Sequence, residues 1–594
     1  MSALEKIKKT TSLSEIAILL GYKPKSLSYI LYKIPNKDKY TEFTIPKNNG
    51  SERKIKAPVD QLKTLQKRLA KLLNKCFDEI STNSKHKKSL SHGFRKNHSI
   101  ITNAINHKNK RHVFNIDLQD FFPSINFGRV RGFFIKNAHF QLDPKIATVI
   151  AQIACHDNEL PQGSPCSPII SNLIGHLLDI RMVNLAKKSK CTYSRYADDL
   201  TFSTNRKEFP EKIAIKKNGA DNKWIPGNAL RKEIKKVGFT INEKKTSLQY
   251  KTERQIVTGL VVNEKVNIKR EYYRQARSMC HALFQSNKFY IDSKNVSEPA
   301  VSENSKVIYT SSYNSAITPY VRYKSKKVIG NIKQLEGILS FIYHIKISHD
   351  ERTIGDKRFK PTAVMKLYRE LLFYKHFFIL NRPLIICEGK TDIVYLKCAL
   401  RHLEKEYGEL VQKKGDDFVF KVSFIDLSKN LKDVFAISAG TSGLVSLMKI
   451  YKTHMKPFKG QGKKHPVIML VDNDSGSKEI KKKLVDSDSK KPFSWFVENL
   501  YVVQIPHVSG HEETAIEDLF DKETLETKVS GKKFNRKTKI NPQTEYGKIV
   551  FSEKVVKVNQ NTISFDGFKE IMNRFKGVIE DYKQKKAEPK TATD

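Results

Sequence analysis

Two short acidic segments constrain the fold of this chain more than any other part of its sequence. Residues 113–125, VFNIDLQDFFPSI, begin as an apolar strand that reaches Asp117, and residues 192–203, TYSRYADDLTFS, predict a strand–turn–strand hairpin with Asp198 and Asp199 at its tip. If the two strands pack side by side, the three carboxylates meet. Like charges this close repel unless cations lie between them, and hard oxygen ligands suit Mg²⁺. A lone pair of adjacent acids would more simply be a solvated turn.

Length and charge narrow the class of protein. The chain has 594 residues, which favours two or three domains, and 108 Lys and Arg against 62 Asp and Glu, a formal charge of +46. Nucleic acid is the expected partner of such an excess, although a ribosome-associated or simply very soluble protein has the same composition. The seven cysteines contain no CxxC pair, and no signal core or membrane-length apolar run is evident. We therefore expect a cytoplasmic protein without a membrane partner.

Hydrophobic periodicity organises the chain into successive regions. Leucines at helical spacing predict a helix over 60–80, strands and helices alternate up to about residue 262, and 330–380 reads as helical. Polar tracts at 206–227 and 291–329 read as loops or insertions. A new α/β segment starts at Pro383 and runs to about residue 525.

The first acidic constellation resembles the palm of reverse transcriptases. The tetrapeptide Tyr196–Asp199 resembles their signature, and residues 160–174, LPQGSPCSPIISNLI, resemble their substrate-binding segment. Residues 238–246, GFTINEKKT, and residues 51–58, SERKIKAP, resemble the following motif and the fingers strand. The resemblance implies a catalytic triad of Asp117, Asp198 and Asp199 around two Mg²⁺ ions, with Mn²⁺ as a possible substitute. Asp120 is as readily an exposed turn acid as a catalytic one.

The same resemblance implies contacts to the dNTP substrate. Arg53 would grip the triphosphate, Lys245 would neutralise or protonate the leaving phosphate, and Gly163 would let the backbone approach nucleotide or template. Phe122 stands where the family carries its sugar gate, although Phe121 and Phe122 could both be core aromatics. The implied nucleotide-binding residues are Arg53, Phe122, Gln162, Gly163 and Lys245.

Two further motifs distinguish among reverse transcriptases. Residues 103–107, NAINH, resemble the NAxxH element of retron enzymes, and residues 257–259 resemble their VTG element. The resemblance implies a structured non-coding RNA partner and a branched RNA-linked single-stranded DNA product, msDNA. A predicted helix over 267–284 interleaves Arg and Lys with Tyr, which suits RNA contact but also an ordinary basic helix face. The implied RNA-binding residues are Asn103, His107, Val257, Thr258, Gly259, Arg270, Arg274 and Arg277.

A second acidic constellation lies in the C-terminal third. Residues 383–400, PLIICEGKTDIVYLKCAL, read as a buried strand, a turn with Glu388 and a helix, and residues 466–477 as a buried strand ending in Asp472 and Asp474. This pairing resembles the TOPRIM fold of topoisomerases, primases and OLD-family nucleases. The resemblance implies one or two Mg²⁺ ions held by Asp472 and Asp474, with Glu388 acting in acid/base chemistry or sharing the metal. Weaker candidates are Asp392, Glu513 and Glu517, the last two expected to share a helix face.

Together these resemblances predict an α+β right-hand polymerase followed by an α/β TOPRIM-like domain with a mainly parallel sheet. The implied function is retron DNA synthesis combined with a nuclease effector in anti-phage defence. Alternatively, the second domain processes the retron RNA or DNA, or only mediates homo-oligomerisation. The expected divisions are fingers and palm at 1–262, thumb at 263–375, the TOPRIM-like domain at 380–525 and a basic extension at 526–594.

Overall fold

A computed structural model describes most of the chain, in two compact units, Met1–Lys269 and Arg270–Asp594. The predicted domain bounds are finer than this division and stay predictions. The described residues are 1–46, 52–83, 90–217, 223–292, 327–427, 429–437, 440–482, 484, 492–508, 510, 512–537 and 539–587.

The first unit combines helices with a central antiparallel sheet. Its helices are α1 (Ala3–Lys8), α2 (Leu13–Leu19), α3 (Pro24–Ser28), α4 (Asp60–Asn83), α5 (Ile100–Ile105), α6 (Phe127–Lys136), α7 (Pro144–Ala154), α8 (Ser167–Lys188) and α9 (Asn228–Lys236). Its strands are β1 (Tyr40–Pro46), β2 (Glu52–Pro58), β3 (His112–Leu118), β4 (Thr192–Tyr196), β5 (Asp199–Thr204), β6 (Ala214–Lys216), β7 (Trp224–Pro226), β8 (Ile241–Tyr250), β9 (Ile256–Val257) and β10 (Leu260–Val261).

The central sheet has the order β4-β5-β3-β8, with every pairing antiparallel. Strand β3 is interior in the sheet and almost wholly buried, and its four apolar residues, Val113, Phe114, Ile116 and Leu118, are each at most 2% exposed. Helix α8 packs on β4 and is apolar on nearly every side. By length and composition it is apolar enough to cross a membrane, yet 67% of its most apolar 18-residue stretch is buried, as in a core helix.

The second unit contains a mixed sheet surrounded by helices. Its helices are α10 (Arg270–Ser286), α11 (Ile332–Ile347), α12 (Ile354–Phe359), α13 (Ala363–Phe373), α14 (Lys390–His402), α15 (Lys429–Phe435), α16 (Thr441–Met455), α17 (Lys478–Lys481), α18 (Lys522–Leu525), α19 (Lys548–Val550) and α20 (Lys569–Ala587). Its strands are β11 (Tyr290–Asp292), β12 (Lys327–Ile329), β13 (Leu384–Ile386), β14 (Val411–Lys414), β15 (Asp417–Phe420), β16 (Ser423–Ile425), β17 (Val467–Val471), β18 (Phe493–Val497), β19 (Leu500–Gln504), β20 (Lys533–Phe534) and β21 (Glu545–Tyr546).

Short 3₁₀ and π-helical turns complete both units: Tyr29–Lys33, Asn36–Asp38, Tyr374–Phe378, Ser475–Ser477, Ile516–Leu519, Phe551–Val556 and Asp566–Phe568.

The sheet of the second unit has the order β16-β13-β17-β19-β18. Three pairings are parallel, and β18 runs antiparallel to β19, so the sheet is mixed. Because β13 and β17 are parallel neighbours, the residues that follow them meet at one edge of the sheet.

Two local expectations need correction or fall outside the structure. The polar tract 206–227 is not only a loop, because β6 and β7 pair within it as a small hairpin. Most of the predicted insertion at 291–329 lies outside the described residues, and its two ends pair as β11 and β12.

A fully buried ion pair supports the hairpin of β4 and β5. The Arg195 guanidinium donates to both carboxylate oxygens of Asp179 at 2.8 Å and to the Ala197 carbonyl at 3.0 Å. The Tyr193 hydroxyl also donates to Asp179, at 2.8 Å. Gly175 leaves the necessary space, since a Cβ there would lie 2.8 Å from an Arg195 nitrogen. This network fixes the carbonyl immediately before the acidic tip of the hairpin.

Replacing Asp179 with Ala should destabilise the chain strongly, because it leaves a buried guanidinium without its counter-charge. We expect the free energy of unfolding in urea to fall by about 3–5 kcal/mol. The matched control is Glu233→Ala, which removes the partner of Arg181. Arg181 lies on α8, as Asp179 does, but its side chain is 42% exposed. That change should cost at most about 1 kcal/mol. Equal losses in the two variants would contradict the structural role of the buried pair.

Candidate active sites

The predicted palm acids lie together at the ends of β3 and β5. Asp117 is directly opposite Asp199 in the antiparallel register of these strands. The Leu118 N–H donates to the main-chain oxygen of Asp198 at 3.0 Å, so the hairpin tip is bonded to the end of β3. Ala197 takes a positive φ of 55° in the turn. Directly opposed residues in such a pair have Cβ atoms about 5 Å apart, so these carboxylates are close neighbours.

Their charges interact strongly. Burial raises the pKa of Asp199 to about 7, and the carboxylates of Asp198 and Asp117 add to the rise. Burial and then Asp117 also raise the pKa of Asp198. Lys245 offsets part of this repulsion by donating to both Asp117 oxygens at 3.1 and 3.0 Å. Its side chain is 61% exposed, so the ammonium is free to leave if another cation takes its place.

The acids are neighbours without forming a finished coordination shell. Across the described part of the chain, no group of three or more His, Cys, Asp or Glu side chains has the geometry of a metal site. Crowded carboxylates that are balanced only by the protein's own charges attract a nearby cation and have raised pKa values. Both effects are present here, in the Lys245 contact to Asp117 and in the raised pKa values of Asp198 and Asp199. The role of these acids as metal ligands, in both sites, therefore stays a prediction about the protein with its cations bound.

Strand β2, the predicted fingers strand, lies against the predicted substrate-binding turn. The Lys56 N–H donates to the Gln162 carbonyl at 2.9 Å. Gly163 has φ +122°, and a Cβ there would lie 2.6 Å from the Lys56 carbonyl oxygen. The glycine is therefore required by the close approach of β2, a different reason from the predicted approach of nucleotide or template. Arg53 is exposed on β2, and its positive charge opposes the rise of the Asp198 pKa, whose main cause is burial.

Lys56 is a residue that the sequence analysis missed. Its buried ammonium lies 2.9 Å from Asp157 and 2.8 Å from Glu159, which fastens β2 to the loop before the substrate-binding turn. In the sequence it is one more lysine in a basic strand, and its partners are about a hundred residues away. Alternation within the strand does not indicate an inward-facing side chain either, because the apolar Ile55 would be expected to face inward and its neighbour Lys56 outward.

The two candidate gate aromatics separate as expected for one core ring and one accessible ring. Phe121 is 3% exposed and stacks on Phe239 at 5.4 Å. Phe122 is half-buried, and its ring centroid lies 5.4 Å from that of Phe121 and 6.1 Å from that of Phe94. The role of Phe122 as a sugar gate stays a prediction.

The NAxxH residues are core residues and do not lie on an RNA-binding surface. Asn103 and His107 are both 0% exposed. The His107 ring is hydrogen-bonded to Ser203 and Ser194, each at 2.7 Å, and the Ser194 hydroxyl donates to Asn103 at 2.6 Å. Predicted direct RNA contact by these two side chains is therefore wrong, because the network that joins α5 to β4 and β5 encloses them.

The remaining predicted RNA contacts divide by exposure. Val257 is 0% exposed, so its side chain is also unavailable to RNA. Thr258 and Gly259 form the turn between β9 and β10 with φ values of +46° and +83°. Three arginines are exposed on α10, and their RNA contacts stay predictions: Arg270, Arg274 and Arg277.

The second acidic site lies where β13 and β17 end. Ile386 is opposite Met469, so Glu388 and Asp472 follow adjacent parallel strands. Thr441 donates to one Glu388 oxygen at 2.9 Å. Among the described residues, the other Glu388 oxygen is buried without a hydrogen-bond partner. A buried orphan oxygen among acids is the kind of atom that a cation satisfies.

Further acids of this site interact with the same pair. Burial raises the pKa of Asp472 to about 8, and Glu388, Asp392 and Glu517 add to the rise. Asp392 accepts the Gly389 N–H at 2.9 Å, and Asp474 accepts the Ser477 N–H at 3.0 Å. The charge of Asp474 contributes to the raised pKa of Glu388, whose main cause is burial.

Lys548, from the basic C-terminal extension, completes the site and was missed by the sequence analysis. Its ammonium donates to Glu517 at 2.9 Å. Burial would lower the pKa of Lys548, but Glu517, Asp472 and Asp392 outweigh it and raise that pKa. No local pattern around residue 548 indicates this role, because its partners come from three other segments.

One predicted pairing of acids is wrong. Glu513 and Glu517 do not share a helix face, because the 3₁₀ turn begins only at Ile516. Before it, Thr514 and Asn473 exchange main-chain hydrogen bonds of 2.8 and 3.0 Å, which keeps this segment extended. Glu517 is 1% exposed within the acidic site, whereas Glu513 is exposed.

Lys548→Met should lower stability in the absence of divalent cations, because it leaves the acids without their internal counter-charge. In EDTA we expect a loss of roughly 1–3 kcal/mol, less than for a fully buried pair, since the Lys548 side chain is 37% exposed. Added Mg²⁺ should narrow the gap in melting temperature to the wild type.

The control is Lys557→Met, which breaks a surface pair with Glu553. It should melt like the wild type in both buffers. If Lys548→Met also melts like the wild type in EDTA, the acids do not depend on this lysine.

Comparison with known proteins agrees with this geometry. A family model described as reverse transcriptase (RNA-dependent DNA polymerase) matches residues 45–271. The Retron Ec86 reverse transcriptase of Escherichia coli is 35% identical over 250 residues, which cover 41% of this chain and 70% of that protein. The Retron Mx65 and Mx162 reverse transcriptases of Myxococcus xanthus are 32% and 30% identical, over 41% and 46% of this chain.

The chain spans only 55% and 58% of the length of those two Myxococcus relatives. A solved telomerase structure from Candida tropicalis covers 40% of this chain and 56% of its own, at 12% identity and a TM-score of 0.26, so the assignment rests on sequence. With a third of its aligned residues identical over 70% of the Escherichia coli protein, this chain belongs to the retron reverse transcriptase family.

Proposed function

We propose that this chain is the RNA-directed DNA polymerase of a retron and that it copies a structured non-coding RNA into branched, RNA-linked single-stranded DNA. The observation that carries the proposal is the direct opposition of Asp117 and Asp199, with Asp198 bonded to the end of the same strand. The formal charge of +46 supports a polyanionic partner, and we expect the reaction to take place in the cytoplasm.

The residues divide the work of nucleotidyl transfer. Asp117, Asp198 and Asp199 would hold two Mg²⁺ ions, which supply activation of the 3′-hydroxyl and stabilisation of the leaving pyrophosphate when bound. Lys245 would then leave Asp117 and neutralise the leaving phosphate, a movement that its exposed side chain permits. Arg53, on the fingers strand held by Lys56, would grip the triphosphate of the dNTP.

Substrate choice and RNA recognition fall to other parts of the first unit and to α10. The half-buried Phe122 ring would exclude a ribose 2′-hydroxyl and so favour dNTP over NTP. The turn of Thr258 and Gly259 and the exposed arginines of α10 would contact the RNA through its phosphates and bases. Asn103, His107 and Val257 would support the Thr258–Gly259 turn from within the first unit.

Replacing Asp198 and Asp199 together with Asn should abolish DNA synthesis and leave RNA binding nearly unchanged. The change removes cation ligands but keeps the shape of the hairpin and the basic surface. Primer extension on an RNA template and RNA binding by filter retention measure the two properties. The control is Asp120→Asn, an exposed acid in the turn that follows β3, which should keep most of the synthesis activity. DNA synthesis by the double variant would contradict the assignment of these acids to a polymerase active site.

We infer that the second acidic site is a metal-dependent nuclease of TOPRIM type that acts as an effector in anti-phage defence. The buried, unpartnered oxygens of Glu388 and Glu517 support a cation there, within the described residues. Glu388, Asp472 and Asp474 would hold one or two Mg²⁺ ions, which supply an activated water for phosphodiester hydrolysis when bound. Asp392, Glu517 and Lys548 would orient the ligands and balance their charge.

Two other roles for this site remain open to test: processing of the retron RNA or DNA, and homo-oligomerisation without catalysis. Glu388→Ala and Asp472→Ala should abolish toxicity and phage resistance, while Glu513→Ala should keep both. Persistence of both phenotypes in the first two variants would contradict the effector role.

A shifted 5′ or 3′ end of the RNA or DNA in Asp474→Ala would favour processing. A change of subunit number on truncation near residue 380, with acid variants behaving as wild type, would favour oligomerisation.

A further inference from the structure

A cluster of basic residues lies at the opposite end of β17 from the acidic site. We name it the amino-end cluster: Lys463, Lys464, His465, Lys583 and Lys586. Burial, and then Lys463 and Lys464, lower the pKa of Lys586. Burial, and then Lys586, Lys464 and Lys583, lower the pKa of His465. The loop before β17 and the end of α20 therefore bring like charges within range of one another.

The cluster is separate from the acidic site. His465 precedes the first residue of β17, Val467, whereas Asp472 follows the last, Val471. Five residues of strand span about 17 Å at ~3.3 Å each. Ligands bound at the cluster therefore need no contact with the metal-binding acids.

Few acids balance the cluster. Glu498 pairs with Lys463 at 2.7 Å, and Asp581 pairs with the neighbouring Lys585 at 3.1 Å. The hydroxyl of Tyr582 donates to the Lys463 carbonyl at 2.6 Å, which ties α20 to the loop. Within the described residues, the exposed Lys464, Lys583 and Lys586 have no carboxylate within 4.0 Å. An arrangement that holds like charges together with few acids to balance them is stabilised by an anion.

An exposed aromatic ring lies beside these charges. Trp495 on β18 is 51% exposed, and the Lys585 ammonium lies 5.4 Å from its ring centroid. The Trp495 indole N–H donates to the Glu498 carbonyl at 3.0 Å, which fixes the ring next to the partner of Lys463. Lysines beside an accessible indole face are the combination that binds a phosphodiester backbone and stacks a base.

We propose that the amino-end cluster and Trp495 bind single-stranded nucleic acid, with Lys464, Lys583 and Lys586 on successive phosphates and a base on the indole. Binding requires no divalent cation, because only lysine ammonium groups and an aromatic face contact the strand. The site gives the second unit a nucleic-acid-binding surface of its own, separate from the acidic site of that unit. It stands whether or not the nuclease proposal holds.

The chain offers a local reporter for the test, since it contains two tryptophans, Trp224 and Trp495. In a Trp224→Phe background, emission reports only on position 495. A DNA oligonucleotide of about 20 nucleotides and an RNA of the same sequence are titrated separately in EDTA while tryptophan emission is followed. We expect saturable quenching by at least one of them, and the tighter strand identifies whether the site takes DNA or RNA.

The decisive variant carries Lys464→Glu and Lys583→Glu in the same background. The oligonucleotide concentration at half-maximal quenching should be roughly tenfold higher than for the parent. The slope of log K against log salt should be about 1.4 shallower, because each of the two lost phosphate contacts contributes ~0.7 to that slope. The matched control carries Lys413→Glu and Lys414→Glu on the exposed β14–β15 hairpin, with the same change in charge.

The control should keep the quenching midpoint and salt slope of the Trp224→Phe parent. Absence of quenching by both oligonucleotides would overturn the proposal. An equal weakening in both double variants would also overturn it, since the effect would then be one of net charge. Polymerase activity of the Lys464→Glu/Lys583→Glu variant should be unchanged, which separates this site from the palm.

Discussion

Repulsion between carboxylates gathered at strand ends is the constraint on which both acidic sites depend. In the first unit Asp117 and Asp199 are opposed across two strands, and Lys245 bonds to Asp117. In the second, Asp472 lies among other buried acids, and Lys548 bonds to Glu517. Each lysine comes from a segment other than those that carry the acids, so each site closes only when the fold is complete.

Rigid polar supports keep the acids in place despite this repulsion. The buried Arg195–Asp179 pair fixes the Ala197 carbonyl at the hairpin tip, and the His107 network joins α5 to the same strands. In the second unit, the Thr441 hydroxyl holds Glu388 through a hydrogen bond of 2.9 Å. Supports of this kind limit the freedom of the ligands and so reduce the cost of ordering them around a cation.

Much of the palm could be predicted from the sequence, because local patterns determine it. An apolar strand ending near an acid, and two acids in the turn of a hairpin, place Asp117 and Asp199 together through strand pairing alone. The acids after β13 and β17 could be predicted for a similar reason, since parallel neighbours end at one edge. The family of the chain followed from motifs in their correct order.

What could not be predicted depends on contacts between distant segments. A motif gives no measure of burial, so Asn103 and His107 were expected at an RNA surface although they are enclosed. The reason for Gly163 lies in the backbone of β2, and the partners of Lys56 and Lys548 lie far away in the chain. These positions carry no periodicity or turn chemistry of their own.

The central claim is that both groups of acids bind divalent cations, and that in the first group a cation replaces the Lys245 ammonium on Asp117. Anomalous X-ray scattering from crystals grown with Mn²⁺ tests it most directly. We expect one or more peaks between Asp117, Asp198 and Asp199 with the Lys245 ammonium displaced, and at least one peak beside Glu388 and Asp472. A map without a peak at the first group, with Lys245 still on Asp117, would contradict the account.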